Sequence, residues 1–268
     1  MKKSSRRRAA ARAARHVLYQ ESVQDPASDI EFVSGLFRRR RGRKPLSLRE
    51  DFCGTALTAS HWVASDARRS ATAVDLDPGV LRWSRENVVP GIGDAADRLT
   101  LVRRDVRRGP RGPFDIVLAM NFSYFVFKTR RDLVEYMSSV HRSLERDGIA
   151  FFDLYGGFEA VQERAERRPL DGFTYVWDQQ SVNPVDSTVK NAIHFELADG
   201  TRIERAFTYD WRLWQPVEVR EALEDAGFSR VDVYWEDDGE DGRGNGVFRP
   251  RRRADCDPSW IAYVIAER

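Results

Sequence analysis

Between Pro45 and Leu154 the sequence alternates short apolar runs with amphipathic stretches of helical period, which commits this part of the chain to a parallel sheet with crossover helices. The unit that opens the alternation is PLSLREDFCGTA, Pro45–Ala56. It reads as a buried strand over Pro45–Glu50, a tight turn of small residues over Asp51–Ala56, and a helix over Leu57–Ala67. A glycine in such a turn lets backbone approach a ligand, because no Cβ stands in the way. A strand–turn–helix unit at the start of an α/β domain is where nucleotide-type cofactors bind.

The pattern continues with strands at Ser70–Asp75, Leu99–Arg104, Phe114–Met120 and Ile149–Leu154. Asp77-Pro78 starts the helix after the second strand, with Asp as N-cap and Pro at the first helical position. Thr129 caps the helix after the fourth, and Gly148 closes it. Upstream, Asp29 is placed to cap a helix carrying Phe32, Val33, Leu36 and Phe37. The alternation then breaks. Gly157–Arg168 reads as a short helix, followed by strands at Phe173–Gln180, Thr188–Leu197 and Arg202–Tyr209, with a tight hairpin at Ala198-Asp199-Gly200. A helix over Pro216–Ala226 and strands at Ser229–Glu236 and Trp260–Ala266 resume the first domain, separated by a long Gly-rich linker.

The domain organisation that follows is a basic tail over 1–15, cap helices over 16–44, a cofactor-binding α/β domain over 45–155 and 216–268, and an inserted antiparallel lid over 156–215. The fold class is α/β: a seven-stranded, mostly parallel sheet with an antiparallel last strand, helices on both faces, N-terminal cap helices and an inserted three-stranded antiparallel sheet.

Composition narrows the function. Hydrophobic residues make up 41%, enough for a core, and no apolar run reaches the ~18 residues of a membrane span. Net charge is +2, so nothing global demands nucleic acid; the basic tail is the one feature that keeps RNA as a partner open. Two cysteines are too few for a disulfide framework, and cytoplasm is the expected compartment. The four histidines do not cluster, so no metal site is expected. No phosphate-cradling loop or nucleophile elbow is present, which leaves phosphoryl transfer and serine hydrolysis without support.

The candidate site residues lie at strand ends. Asp75 ends the second strand, placed to accept from both hydroxyls of a ribose, with Leu76 beside it. Asp105 ends the third strand, with Val106 next to an expected adenine. Asn121, Ser123 and Tyr124 follow the fourth. Tyr155, Tyr209, Trp211 and Arg212 are candidates for an aromatic pocket wall.

Taken in order, these stretches resemble class I S-adenosylmethionine-dependent methyltransferases. LREDFCGTA is similar to the family's glycine-rich first motif: Glu50 matches its acid, Gly54 its central glycine and Thr55 the residue after it, while Phe52 and Ala56 stand where the family has glycines. AVDLDPGVL resembles the second motif, RRDV the third, and FDIVLAMNFSY the fourth. The resemblance implies a Rossmann-like domain binding S-adenosylmethionine and releasing S-adenosylhomocysteine, with Glu50, Phe52, Cys53, Gly54, Thr55, Asp75, Leu76, Asp105, Val106 and Asn121 around the cofactor. The inserted sheet is similar to that of small-molecule N-methyltransferases, in which an N-terminal helix bearing a Tyr, here Tyr19, closes over the cofactor. The implied reaction is methyl transfer to a small molecule, an amine first. The alternatives are a methyltransferase acting on RNA or protein, a non-catalytic cofactor-binding protein on the same scaffold, and a nucleotide-cofactor oxidoreductase. Tyr124 and His194 are the candidate bases. The sequence leaves the acceptor and the oligomeric state open.

Overall fold

The computed structural model describes residues 14–239 and 244–268. Of the tail expected over 1–15, only residues 14 and 15 are described, and they open a helix, α1, running over 14–23. Helix α2 (Pro26–Arg41) follows, then β1 (Ser47–Asp51), α3 (Leu57–Ser65), β2 (Ser70–Asp75), α4 (Pro78–Asn87), β3 (Leu99–Arg103), β4 (Phe114–Ala119), α5 (Arg130–Ser143) and β5 (Leu144–Gly156). An inserted sheet is built from β6 (Arg164–Leu170), β7 (Phe173–Asn183), β8 (Thr188–Leu197) and β9 (Arg202–Arg212). The chain returns through α6 (Pro216–Asp225), β10 (Arg230–Asp238), β11 (Gly244–Pro250) and β12 (Trp260–Glu267).

The main sheet has the order β11-β10-β12-β5-β4-β1-β2-β3. Strands β1 to β5 pair in parallel, while β12 runs antiparallel to β5 and β10 antiparallel to β12. Strand order reverses between β1 and β4, and in open α/β sheets ligands bind at the carboxyl ends of the strands at such a point. The parallel strands are apolar on both faces because both are covered. Val117, Ala119, Ala150 and Phe152 face α5 and α6, meeting Met137, Val140, Val219 and Leu223. The alternate residues Ile116, Leu118, Ile149 and Phe151 face Val33, Leu36, Phe37, Trp62 and Val63 of α2 and α3. Each large apolar side chain so buried contributes about 1.5–3 kcal/mol.

Four expectations change. The main sheet has eight strands rather than seven, because β11 pairs with β10 within the stretch read as linker. The insertion has four strands rather than three: of the stretch read as a helix, only Phe158–Val161 is a helical turn, and from Arg164 on it is β6, paired antiparallel with β7. Gly148 lies inside β5 and does not close α5, which ends at Ser143; Leu144 already pairs with Phe114, and a Cβ on Gly148 would press on Leu144 and the Glu145 backbone. Helix α2 is capped by Asp25, whose carboxylate accepts from Ser28 N at 3.2 Å ahead of Pro26, and Asp29 lies in the first turn instead. That is the same Asp-Pro start that Asp77-Pro78 makes at α4, where Asp77 accepts from Gly79 N at 2.7 Å.

Candidate functional site

Two cavities meet over the carboxyl ends of β1, β2, β4 and β5. The larger, about 820 Å³, runs along the turn after β1 and reaches Asp75 and Asp105. The smaller, about 420 Å³, lies between β5, the inserted sheet and α1–α2. Tyr19, Met120, Asn121, Tyr209 and Trp211 line both.

The turn over 52–56 places Phe52, Gly54 and Ala56 at φ +55, +54 and +56. Left-handed backbone is disfavoured by a Cβ. Phe52 is held there by packing against Phe127 and Tyr136, with ring centroids at 6.0 and 5.5 Å. Ala56 is wholly buried. Gly54 is the one whose missing side chain opens the cleft, since a Cβ there would meet no heavy atom within 4 Å. The turn is fixed from β2: Cys53 N donates to Val74 O at 3.0 Å and Gly54 N to Asp75 Oδ2 at 2.8 Å. Asp75 Oδ1 accepts from Asp77 N at 2.8 Å. Each Asp75 oxygen thus has one backbone donor and lone pairs to spare.

Beneath the turn lies a buried ion pair. Arg49 holds Asp51 through Nε at 2.8 Å and Nη2 at 2.9 Å, both side chains fully buried. The Tyr136 hydroxyl donates to Asp51 at 3.0 Å, and Arg49 also donates to Val106 O at 2.9 Å. Gly109 makes room for the guanidinium, since a Cβ there would collide with it. The network ties the turn after β1 to the segment 105–109 on the far wall of the cleft. Asp105 on that wall is engaged by Arg107 through Nη2 at 2.7 Å, and this holds its carboxyl below the usual range.

Helix α1 closes the cleft from above. Gln20 Nε2 donates to Thr55 Oγ1 at 2.7 Å. Tyr19 packs on Phe207 at 4.8 Å and hydrogen-bonds Tyr209. His16 sits between Trp83 and Phe207, at 5.0 and 5.8 Å, and burial with Arg15 alongside pushes it down to about 4.

Three carboxyls facing the cavities have no basic partner among the described residues. Glu50 accepts from Ala59 N at 2.9 Å and is pushed up to about 8 by burial. Asp153, at the end of β5, accepts from Asn121 N at 2.6 Å and Phe122 N at 2.8 Å, and burial pushes it up to about 7. Asp29 is pushed up to about 7 by burial with Asp25 beside it.

All the residues expected around the cofactor line the larger cavity: Tyr19, Glu50, Phe52, Cys53, Gly54, Thr55, Asp75, Leu76, Asp105, Val106 and Asn121. Tyr155, Tyr209 and Trp211 line the smaller one. Three candidates are not brought there. Tyr124 is fully buried between Phe125 and Phe152, at 5.2 and 5.6 Å, and lines neither cavity. His194 also lines neither; it is one residue out of step with Asn191 and Ile193 on β8 and meets Asp178 at 3.2 Å and Glu204 at 2.7 Å. Arg212 pairs with Glu218 at 2.7 Å and lies over Trp214. Sequence reasoning passed over Asp153 and Asp29. The available signal was an acid inside the apolar run IAFFDL, and the Asp25-Pro26 start that frees Asp29 from capping.

Among the described residues no group of His, Cys, Asp and Glu could hold a metal ion, and no helix is long and apolar enough to cross a membrane. The model of a family described as a methyltransferase domain matches residues 51–152. Residues 51–152 are a methyltransferase domain. The chain is 25% identical over 163 residues to the putative methyltransferase YqeM of Bacillus subtilis (strain 168), a match spanning 59% of this chain and 64% of that relative. An S-adenosylmethionine-dependent methyltransferase from Clostridium acetobutylicum ATCC 824 shares the fold with TM-score 0.70 at 15% identity, over 94% of this chain and 96% of that one. CalS10 of Micromonospora echinaspora, an amino pentose methyltransferase solved with S-adenosylmethionine, shares it with TM-score 0.65 at 14% identity, over 94% and 95%. The methyltransferase domain therefore has the class I methyltransferase fold.

Proposed function

We propose that the protein transfers a methyl group from S-adenosylmethionine to an amine nitrogen of a small molecule. The observation that carries this reading is the pair of joined cavities, one lined by the eleven residues expected around that cofactor, the other by aromatic rings and carboxyls. The donor set of the larger cavity fits the cofactor. Asp75 has free lone pairs for two ribose hydroxyls, and Val106 offers an apolar wall to a purine. Gly54 leaves room for the ligand at the turn, and Glu50 is a buried acid without a cation. The cofactor carries no phosphate, so a turn with Phe52 and Ala56 in two of its left-handed positions suffices where a pyrophosphate would need more open backbone.

Bound there, the cofactor supplies an electrophilic methyl group on a positively charged sulfur. The chain's part is to bind, orient and exclude water. Tyr19 and Tyr209 stand where the cavities join and fix the acceptor relative to the cofactor. Gln20 on Thr55 keeps α1 closed over both. The acceptor cavity favours a cation: among the described residues Asp25, Asp29, Asp153 and Glu166 line it against Arg168 as the one basic residue. The amino pentose methyltransferase among the structural relatives acts on a substrate of compatible chemistry.

The test is transfer of label from S-adenosylmethionine carrying a radioactive methyl group, offered simple aliphatic and aromatic amines, the matching alcohols, and RNA. Label on the amines supports the reading. Label on alcohols or RNA alone contradicts it.

A further inference from the structure

The inference rests on the reading of the smaller cavity as an amine acceptor site. We propose that the Asp153 carboxylate docks the acceptor's ammonium group and takes its proton, so that the acceptor is a primary or secondary amine arriving as a cation. Among the described residues Asp153 is the only acid on the main sheet's strands that lines the smaller cavity, and it is nearly fully buried. Its two oxygens accept from the backbones of Asn121 and Phe122, which hold them in place without neutralising them. Asn121 also lines the cofactor cavity, so the carboxylate stands beside the junction where a methyl group would pass.

The surroundings suit an organic cation. Tyr209 and Trp211 pack at 4.2 Å, Trp177 joins them at 5.7 and 6.2 Å, and Tyr155 meets Trp177 at 6.3 Å, a wall of ring faces that attract positive charge. The groups facing Asp153 from other elements reinforce this. Asp29 from α2 repels its negative charge, and Tyr19 from α1, Tyr124 after β4 and Tyr263 from β12 are neutral phenols whose ionisation Asp153 opposes. Arg168 on β6 is spent on the Ser22 carbonyl and the Tyr175 ring. Burial that pushes Asp153 up to about 7 also makes it a stronger base than a surface carboxylate.

In the step, the ammonium N–H bond breaks, its electron pair stays on nitrogen and the proton passes to an Asp153 oxygen. The freed lone pair forms the bond to the methyl carbon while the carbon–sulfur bond breaks and its pair returns to sulfur. The products are a methylated ammonium and S-adenosylhomocysteine, and the Asp153 proton leaves to water.

The experiment uses the full chain saturated with S-adenosylhomocysteine and titrates it with benzylamine or benzyl alcohol at pH 6 and pH 8. With Asp153 ionising near 7, benzylamine binds about tenfold more tightly at pH 8, and benzyl alcohol shows no such change. An Asp153→Asn variant that still binds S-adenosylhomocysteine loses the pH dependence. In single-turnover transfer to benzylamine, the unmodified rate rises through pH 7 and the variant is slower by about 10²-fold or more, without that rise. Because the variant also disturbs the Asn121–Phe122 backbone, carbon NMR of labelled Asp carboxyls in the unmodified protein is decisive. Two signals titrate near 7, those of Asp153 and Asp29, and the one missing from Asp153→Asn moves to lower pH on adding benzylamine. Binding equal at both pH values, or no such signal, overturns the proposal while S-adenosylhomocysteine binding leaves the cofactor reading standing. Failure to bind S-adenosylhomocysteine overturns both.

Discussion

The Asp75 carboxylate accepts the backbone N–H of Gly54 at 2.8 Å, joining the end of β2 to the turn after β1. The acid expected to meet a ribose is therefore also the brace of the turn that the ligand must approach. Preorganisation of this kind lowers the ordering cost of binding. It also makes the cleft sensitive to substitutions that leave the core untouched.

Gly54→Ala isolates the turn. At φ +54 a Cβ costs about 1–2 kcal/mol. The added methyl group meets no protein atom, so it projects into the cleft. Urea denaturation is expected to show that loss, and calorimetry a weaker affinity for S-adenosylhomocysteine. Unchanged affinity would mean that the ligand does not approach this backbone.

Arg49→Ala tests the network beneath the turn. It strands the Asp51 carboxylate in a fully buried site, and breaking a buried pair on one side costs about 3–5 kcal/mol. Chemical denaturation is expected to register a loss of that size. A loss under about 1 kcal/mol would show that water reaches Asp51.

The unpaired acids set a pH dependence. Glu50 is pushed from 4.5 to about 8, Asp153 and Asp29 from 3.8 to about 7, in each case mainly by burial. Between the unfolded and folded values the folded state holds more protons, so stability falls as pH rises through that window. His16, pushed from 6.5 down to about 4, acts in the opposite direction, but only below its ordinary value. The ligand-free protein is therefore expected to lose stability from about pH 4.5 to about pH 8, the three raised acids outweighing the one lowered histidine. Glu50→Gln keeps an acceptor for Ala59 N and flattens that fall. Thermal melts across pH check both. A variant whose melting temperature falls with pH as steeply as the unmodified protein would remove Glu50 from the account.

The same acids predict a preference for positive charge. S-adenosylmethionine carries a sulfonium that S-adenosylhomocysteine lacks, so its relative affinity is expected to grow from pH 6 to pH 8.5 as Glu50 and Asp153 ionise. Competition calorimetry measures the ratio, and a ratio that does not change with pH contradicts this.

The parallel half of the fold was legible because both signals it depends on are local. Apolar runs such as FDIVLA mark strands, and Asp77-Pro78 marks a helix start. β2 and β8 fall on the residues expected of them. The strands that escaped notice, β6 and β11, are rich in Arg, Glu, Gly and Pro; their partners β7 and β10 make them strands, not their own propensity. The residues expected around a cofactor come to one cavity because, Tyr19 on α1 apart, they lie at or just after strand ends. The smaller cavity was legible only in Tyr155, Tyr209 and Trp211. Asp29, Asp153 and Trp177 come from separate elements that only the folded insertion brings together. Tyr124 and His194 were chosen for chemistry, but packing and strand phase take them elsewhere.

The measurement that tests the central claim most directly is calorimetric titration with S-adenosylhomocysteine of the unmodified protein beside Asp75→Ala. The account predicts micromolar or tighter binding by the first, and a loss in the second of about 1.5 kcal/mol or more, because a charge-assisted hydrogen bond to the ribose and the brace on Gly54 go together. No binding by the unmodified protein, or equal binding by both, would contradict it.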